Sequence, residues 1–233
     1  MNEVVFPNWK KVSALGLISI SLLFFILTAL VPSQEAPEIN QVSVLSLLLS
    51  FVFHYGIIIM LITFPRIMSN DPTPLFQSLD LKVGKFTDYL HILLFVPSLF
   101  IVNIFMTLNM KLINESEIPS DDSLGMLLDA QGFQLVLLCF VAIILAPIFE
   151  EIVFRHFIYN YLKLTLPTGF SSLLASFFFA IIHGQLTQIL PLTVLGLILQ
   201  LCYIRTRNLW VAISIHCLFN ATVIVFAFIY GRV

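Results

Sequence analysis

The chain has 233 residues, of which 59% are hydrophobic and 10% charged, and its mean hydropathy is +1.02. Soluble domains carry about 25% charged residues, so this composition excludes an ordinary soluble fold and points to a membrane protein. A formal net charge of −2, with no basic stripe, leaves no surface for gripping nucleic-acid phosphates.

Charge-poor apolar stretches of about 20 residues can cross a bilayer as helices. Seven occur here, which predicts an all-α, polytopic transmembrane helix bundle. The first covers residues 14 to 31 and follows Lys10 and Lys11. It is longer than a signal-peptide core and lacks a small-residue cleavage site, so it reads as a span. The second covers 42 to 64, and residues 65 to 88 form a loop with Pro, Asp and Lys. The third covers 89 to 108 and leads into an acidic loop over 109 to 131, where Asn114 in "NES" forms a formal glycosylation acceptor.

The fourth stretch, 133 to 163, is too long for one upright span and must tilt, kink or leave the bilayer. Pro147 within it removes one backbone hydrogen bond and, in an α-helical register, frees the carbonyl of Ile143, which favours a kink. The last three spans cover 168 to 187, 189 to 205 and 209 to 230. With the N-terminus in the cytoplasm, Lys10, Lys11, Arg66, Lys82, Lys85, Arg155, Lys163, Arg205 and Arg207 lie on or toward the inner side. Lys111 and Arg232 fall outside. Nine of eleven basic residues on one side is a strong positive-inside bias. The chain is therefore expected to be an integral, multi-pass protein, of the plasma membrane.

Polar residues divide the chain. Residues 1–131 read as supporting transmembrane segments, and 132–233 as a working core with a polar cavity among four helices, both within one membrane domain. Cys139, Cys202 and Cys217 sit in apolar runs without metal spacing and read as packing residues. His54 and His91 read as core or helix-contact residues, and His156 as interfacial.

Ionisable groups in membrane helices are costly and normally face one another or a watery cavity. Glu151 and Arg155 are four apart, acid first, the favourable order for an ion pair on one helix face. Glu150 lies about 100° around the helix from Glu151, away from that arginine. His216 and Asn220 share a face of the last span, as do Phe179 and His183 on an earlier one. From the turns near 165 and 206, Glu150 and His183 stand roughly 20 and 24 Å deep, and His216 and Asn220 roughly 12 and 18 Å. Polar groups from three helices thus converge in depth. A carboxylate beside a histidine can take a proton from water, with Glu151 held by Arg155 and Glu150 free to act. His216 and Asn220 can donate hydrogen bonds to an oxyanion, and Phe179 shapes the cavity wall. These are the parts of a peptide hydrolase. Acid and histidine chains in membranes also serve as proton relays, so a proton-coupled transporter is the competing class, although no inverted repeat of broken helices is visible.

"EEIVFR" (Glu150, Glu151, Arg155), "FAIIH" (Phe179, His183) and "HCLFN" (His216, Asn220) resemble, in order, the three motifs of the CPBP intramembrane proteases, also called the CAAX-protease and bacteriocin-processing, or Abi, family. The resemblance covers roughly residues 133 to 230. It implies an endopeptidase with a water-accessible cavity in the bilayer, acting on a membrane-associated peptide or protein. Glu150 and His183 would activate water, His216 and Asn220 would hold the oxyanion, and Glu151, Arg155 and Phe179 would support them. Family members without proteolysis, as bacteriocin self-immunity or interaction scaffolds, form an alternative. The metal-free mechanism is favoured. Zinc on Glu150, His183 and His216 is the alternative, since two His and a Glu form a known catalytic ligand set. The His-Glu-x-x-His signature is absent.

Overall fold

The computed structural model describes residues 7–30, 44–83, 85–90, 97, 101–102, 104, 122–183 and 188–230. Among them every regular element is helical: α1 (Asn8–Leu30), α2 (Val44–Met68), α3 (Leu75–Ser78), α4 (Asp122–Asp129), α5 (Gly132–Leu162), α6 (Thr168–Ile181), α7 (Ile189–Thr206) and α8 (Leu209–Tyr230). Leu48–Met68, Gly132–Leu162, Ile189–Thr206 and Leu209–Ile229 are long and apolar enough to cross a membrane, and Thr168–Ile181 is a shorter apolar helix. The span expected over 89 to 108, with His91, lies largely outside the described residues, as do Asn114 and Lys111.

Glycine and proline are sparse within these helices, and apolar side chains surround them, so backbone groups must pair within each helix. The core gathers where α5, α6, α7 and α8 meet, around Phe154, Phe157, Phe179, Leu195, Leu199 and Ile215. Helices α6 and α7 make the most extensive contact, and α1 packs on both α2 and α5. The three cysteines are free thiols, Cys202 buried and the others half-buried.

Helix α5 is not α-helical throughout. It runs through two π-helical segments, Val141–Leu145 and Ile152–Ile158, which flank an α-helical stretch, Ala146–Glu151. The Ala146 N–H donates to the Val141 carbonyl, five residues back. In that register the carbonyl facing Pro147 is Ala142, not Ile143, because a widened turn shifts each pairing by one residue. Asn220 on α8 takes up that carbonyl, donating from Nδ2 at 2.8 Å. The missing proline N–H is thus absorbed by a π-turn and a neighbouring amide. Such π segments cluster at functional sites.

The loop after α2 docks on the opposite end of α5. Asp80 adopts a left-handed backbone (φ 58°), which Asp tolerates better than most residues. Its carbonyl accepts the Leu209 N–H at 3.0 Å, and its Oδ2 accepts the Tyr203 hydroxyl at 2.7 Å. His156 Nδ1 lies 3.5 Å from the same oxygen, and Lys82 Nζ lies 3.1 Å from Oδ1. His156 is therefore buried against this loop, not placed at an interface with water as its position beside Arg155 suggested. Burial alone would raise the Asp80 carboxyl, but His156 and Tyr203 outweigh it and hold the group well below the ordinary carboxylate range. A depressed folded value means that the stabilisation is present above the unfolded pKa and lost as pH falls. Asp80→Asn is expected to cost about 1–3 kcal/mol near pH 7. The deficit against wild type should shrink as pH drops below about 4. Thermal unfolding in detergent at several pH values checks both.

Candidate active site

The short α-helical stretch between the two π segments carries Glu150 and Glu151. Glu151 is fully buried, and its two oxygens have different partners. Oε2 lies 3.0 Å from Arg155 Nε, and Oε1 accepts from His216 Nδ1 at 2.9 Å. The expected ion pair on one helix face is present. It is also half of a larger unit, since Glu151 grips the imidazole of α8 as well as its own helix neighbour.

His216 turns its other nitrogen toward Glu150, with Nε2 3.7 Å from Glu150 Oε2. That separation is too long for a direct hydrogen bond. The Glu150 side chain is 23% exposed, against 0% for Glu151, so Glu150 is the carboxylate that a reactant could reach. No ion pair joins Arg155 to Glu150, in keeping with the expected divergence of the two acids. A single histidine bridges them instead, and the helical spacing within α5 carries no sign of it.

Arg155 is held on three sides. Besides Glu151, its Nη2 donates to the Gly196 carbonyl at 3.3 Å, and its Cζ sits 4.5 Å from the centre of the Phe179 ring. Phe179 is completely buried and stands against both histidines, with ring centroids 4.8 Å from His183 and 5.6 Å from His216. Its role therefore exceeds wall packing, since its π face receives the guanidinium charge. The His183 ring is exposed, just past the end of α6, and its Nδ1 is 2.7 Å from the Phe179 carbonyl. His183 joins the cluster through Phe179, and no hydrogen bond or ion pair links it to Glu150 among the described residues. Asn220 reaches the site helix at Ala142, one of its amide hydrogens being engaged there.

Helix α2 contributes a contact that the sequence left unread. Tyr55 stacks on Phe149, with centroids 4.6 Å apart and planes 29° apart, and the His54 ring lies edge-on to Tyr55 at 5.1 Å. Two aromatic positions 94 residues apart carry no pairing signal in one sequence, so only the fold reveals this neighbour.

A zinc site would need Glu150, His183 and His216 to converge on one point. Among the described residues no three His, Cys, Asp or Glu side chains stand together so as to hold a metal ion. His216 Nδ1 is taken by Glu151, which leaves Nε2 toward Glu150, and among the described residues His183 joins this pair through Phe179.

Comparison with known proteins bears on this region. Residues 132–222 match a family model described as type II CAAX prenyl endopeptidase Rce1-like. Over 89 residues the chain is 35% identical to "Putative membrane peptidase YdiL" of Bacillus subtilis (strain 168), covering 38% of this chain and 36% of that relative. The chain thus matches about a third of that relative's length. No solved structure matches the chain. The family match falls on the segment that carries the glutamates, Arg155, both site histidines and Asn220, and both similarities support an intramembrane protease.

Proposed function

We propose that this chain, a CPBP-family protein over residues 132–222, is an endopeptidase that hydrolyses a peptide bond in a membrane-associated peptide or protein. The observation that carries this reading is His216 standing between two carboxylates of which only one, Glu150, is open to a reactant.

Hydrolysis needs a base for water, donors for the oxyanion and an acid for the leaving amine. Glu150 takes the first role, with His183 on the open side of the site helping to orient the water. The water oxygen bonds to the scissile carbonyl carbon as its proton passes to Glu150. The carbonyl oxygen becomes an oxyanion, which His216 Nε2–H and the second amide hydrogen of Asn220 receive. Collapse of the tetrahedral intermediate breaks the C–N bond, and Glu150 returns its proton to the departing amine.

Glu151 accepts from Nδ1, so an Nε2–H as well makes the ring an imidazolium. Arg155 and His216 each hold one oxygen of Glu151, and that fixes which ring nitrogen faces the substrate.

The substrate is membrane-borne, because the reactive carboxylate sits on a helix long and apolar enough to span the bilayer. The excess of basic residues in the inner loops supports a cytoplasmic N-terminus, with the chain in the plasma membrane. The direct test is quantitative comparison of membrane peptides from cells carrying wild type or Glu150→Gln. Fragments that disappear in the variant identify the substrate, and identical peptide patterns together with ion flux through liposomes would favour a transporter. Cleavage is expected to persist after treatment with a zinc chelator. Loss on chelation with recovery on added zinc would overturn the metal-free mechanism.

A further inference from the structure

Gly196 lies on α7, outside all three sequence motifs, yet it touches the site's most buried charge. Its carbonyl accepts from Arg155 Nη2 at 3.3 Å. Apart from Glu151, it is the acceptor that the guanidinium finds among the described residues, and Arg155 Nη1 has none. Gly196 also packs tightly against Ser176 of α6. A methyl group on its Cα would stand 2.9 Å from Ser176 Cβ, 3.1 Å from Ser176 Cα and 3.2 Å from Ser176 Oγ. Side chains essentially never approach that closely, and one of the three atoms is backbone. Small residues at such crossings let membrane helices pack backbone to backbone. Here the crossing fixes a carbonyl as well as an interhelical distance.

We infer that Gly196 is a positioning residue for hydrolysis: its close contact with Ser176 sets the carbonyl that anchors Arg155, and through Arg155 and Glu151 it fixes the His216 ring. The chain of contacts is continuous. Gly196 O holds Arg155 at 3.3 Å, Arg155 holds Glu151 at 3.0 Å, and Glu151 holds His216 at 2.9 Å. Each link is buried, so no solvent molecule replaces a partner that moves away. The Arg155 guanidinium also lies over Phe179, whose ring faces both His183 and His216, so a shift of the guanidinium reaches both imidazoles. This inference rests on the hydrolytic reading for its catalytic consequence, but not for its structural one.

The test therefore has two arms. The chain has five histidines, and 15N-histidine labelling in detergent reports each imidazole; His216→Asn identifies the resonances of that ring. Gly196→Ala is expected to displace the His216 imidazole signals, and Gly196→Ala with Ser176→Gly should move them back toward wild type. Ser176→Thr, which adds bulk from the α6 side, should displace them in the same sense, and it serves if Gly196→Ala does not fold. On an internally quenched, farnesylated Cys-a-a-X peptide, Gly196→Ala should lower kcat about tenfold and leave KM within about twofold, as a displaced group acting in the transition state would. The paired variant should recover most of that loss. Unmoved His216 signals in a folded variant, or displaced signals that Ser176→Gly does not restore, would overturn the positioning role. Absence of cleavage by the wild type would count against the hydrolase on this peptide while the spectra still decide the role of Gly196.

Discussion

Glu150→Gln is expected to remove at least about a hundredfold of peptide cleavage, the low end of what a positioned general base contributes. Folding should be little changed. The substitution keeps the shape of the side chain, Glu150 is partly exposed, and its nearest charged group is His216 Nε2 at 3.7 Å, beyond hydrogen-bond range. The thermal unfolding midpoint in detergent should therefore correspond to a change of about 0.5 kcal/mol or less. Glutamine cannot accept the water proton, so the loss falls on turnover and not on binding. Cleavage of membrane peptides by wild type and variant, with unfolding measured on the same preparations, separates these effects. A folded Glu150→Gln protein with full activity removes Glu150 from the chemistry. The same design applied to Glu151→Gln gives a different result, because Glu151 is fully buried and bound to two partners, so activity and stability should fall together.

How much of this was legible in the sequence depends on the range of the contact. The Glu151–Arg155 pair follows from the helical repeat, since residues four apart share a face. A shared layer of the bilayer for Glu150 and His216, roughly 20 and 12 Å from their turns, follows from counting rise along two helices. The bridge that His216 makes between the glutamates does not, because it depends on how α8 is rotated against α5. The π segments were hidden for a related reason: Pro147 announces a lost hydrogen bond, but the register in which the helix passes it, and the Asn220 amide that takes up the freed carbonyl, are not written in the local sequence. Loop contacts were the least visible. Asp80 meets His156 and Tyr203 across 76 and 123 residues, with no period to signal it, so His156 read as interfacial when it is buried. Gly196 was silent because a glycine that is close-packed cannot be told from one that is merely tolerated until its neighbour is known.

Arg155→Ala is expected to have the largest effect on stability, about 3–5 kcal/mol, the usual consequence of removing one partner of a buried ion pair. Three contacts vanish at once: the 3.0 Å pair with Glu151, the hydrogen bond to Gly196 and the charge over Phe179. What remains is a carboxylate with no exposure to solvent and only His216 to share its charge. That variant alone cannot separate a structural arginine from one that serves catalysis, since an unfolded enzyme is inactive for either reason. The pair Glu151→Leu with Arg155→Met does separate them. Replacing both charges by apolar side chains of similar volume often restores or exceeds the stability of a buried ion pair. The double variant should thus unfold close to wild type. It should remain inactive, because the His216 ring has lost the acceptor that holds its Nδ1–H and directs Nε2 at Glu150. Unfolding and cleavage measured on the single and double variants give the comparison. If activity returned with stability, the buried pair would serve only to lock α5 in place, and the orientation of His216 would have to come from Phe179.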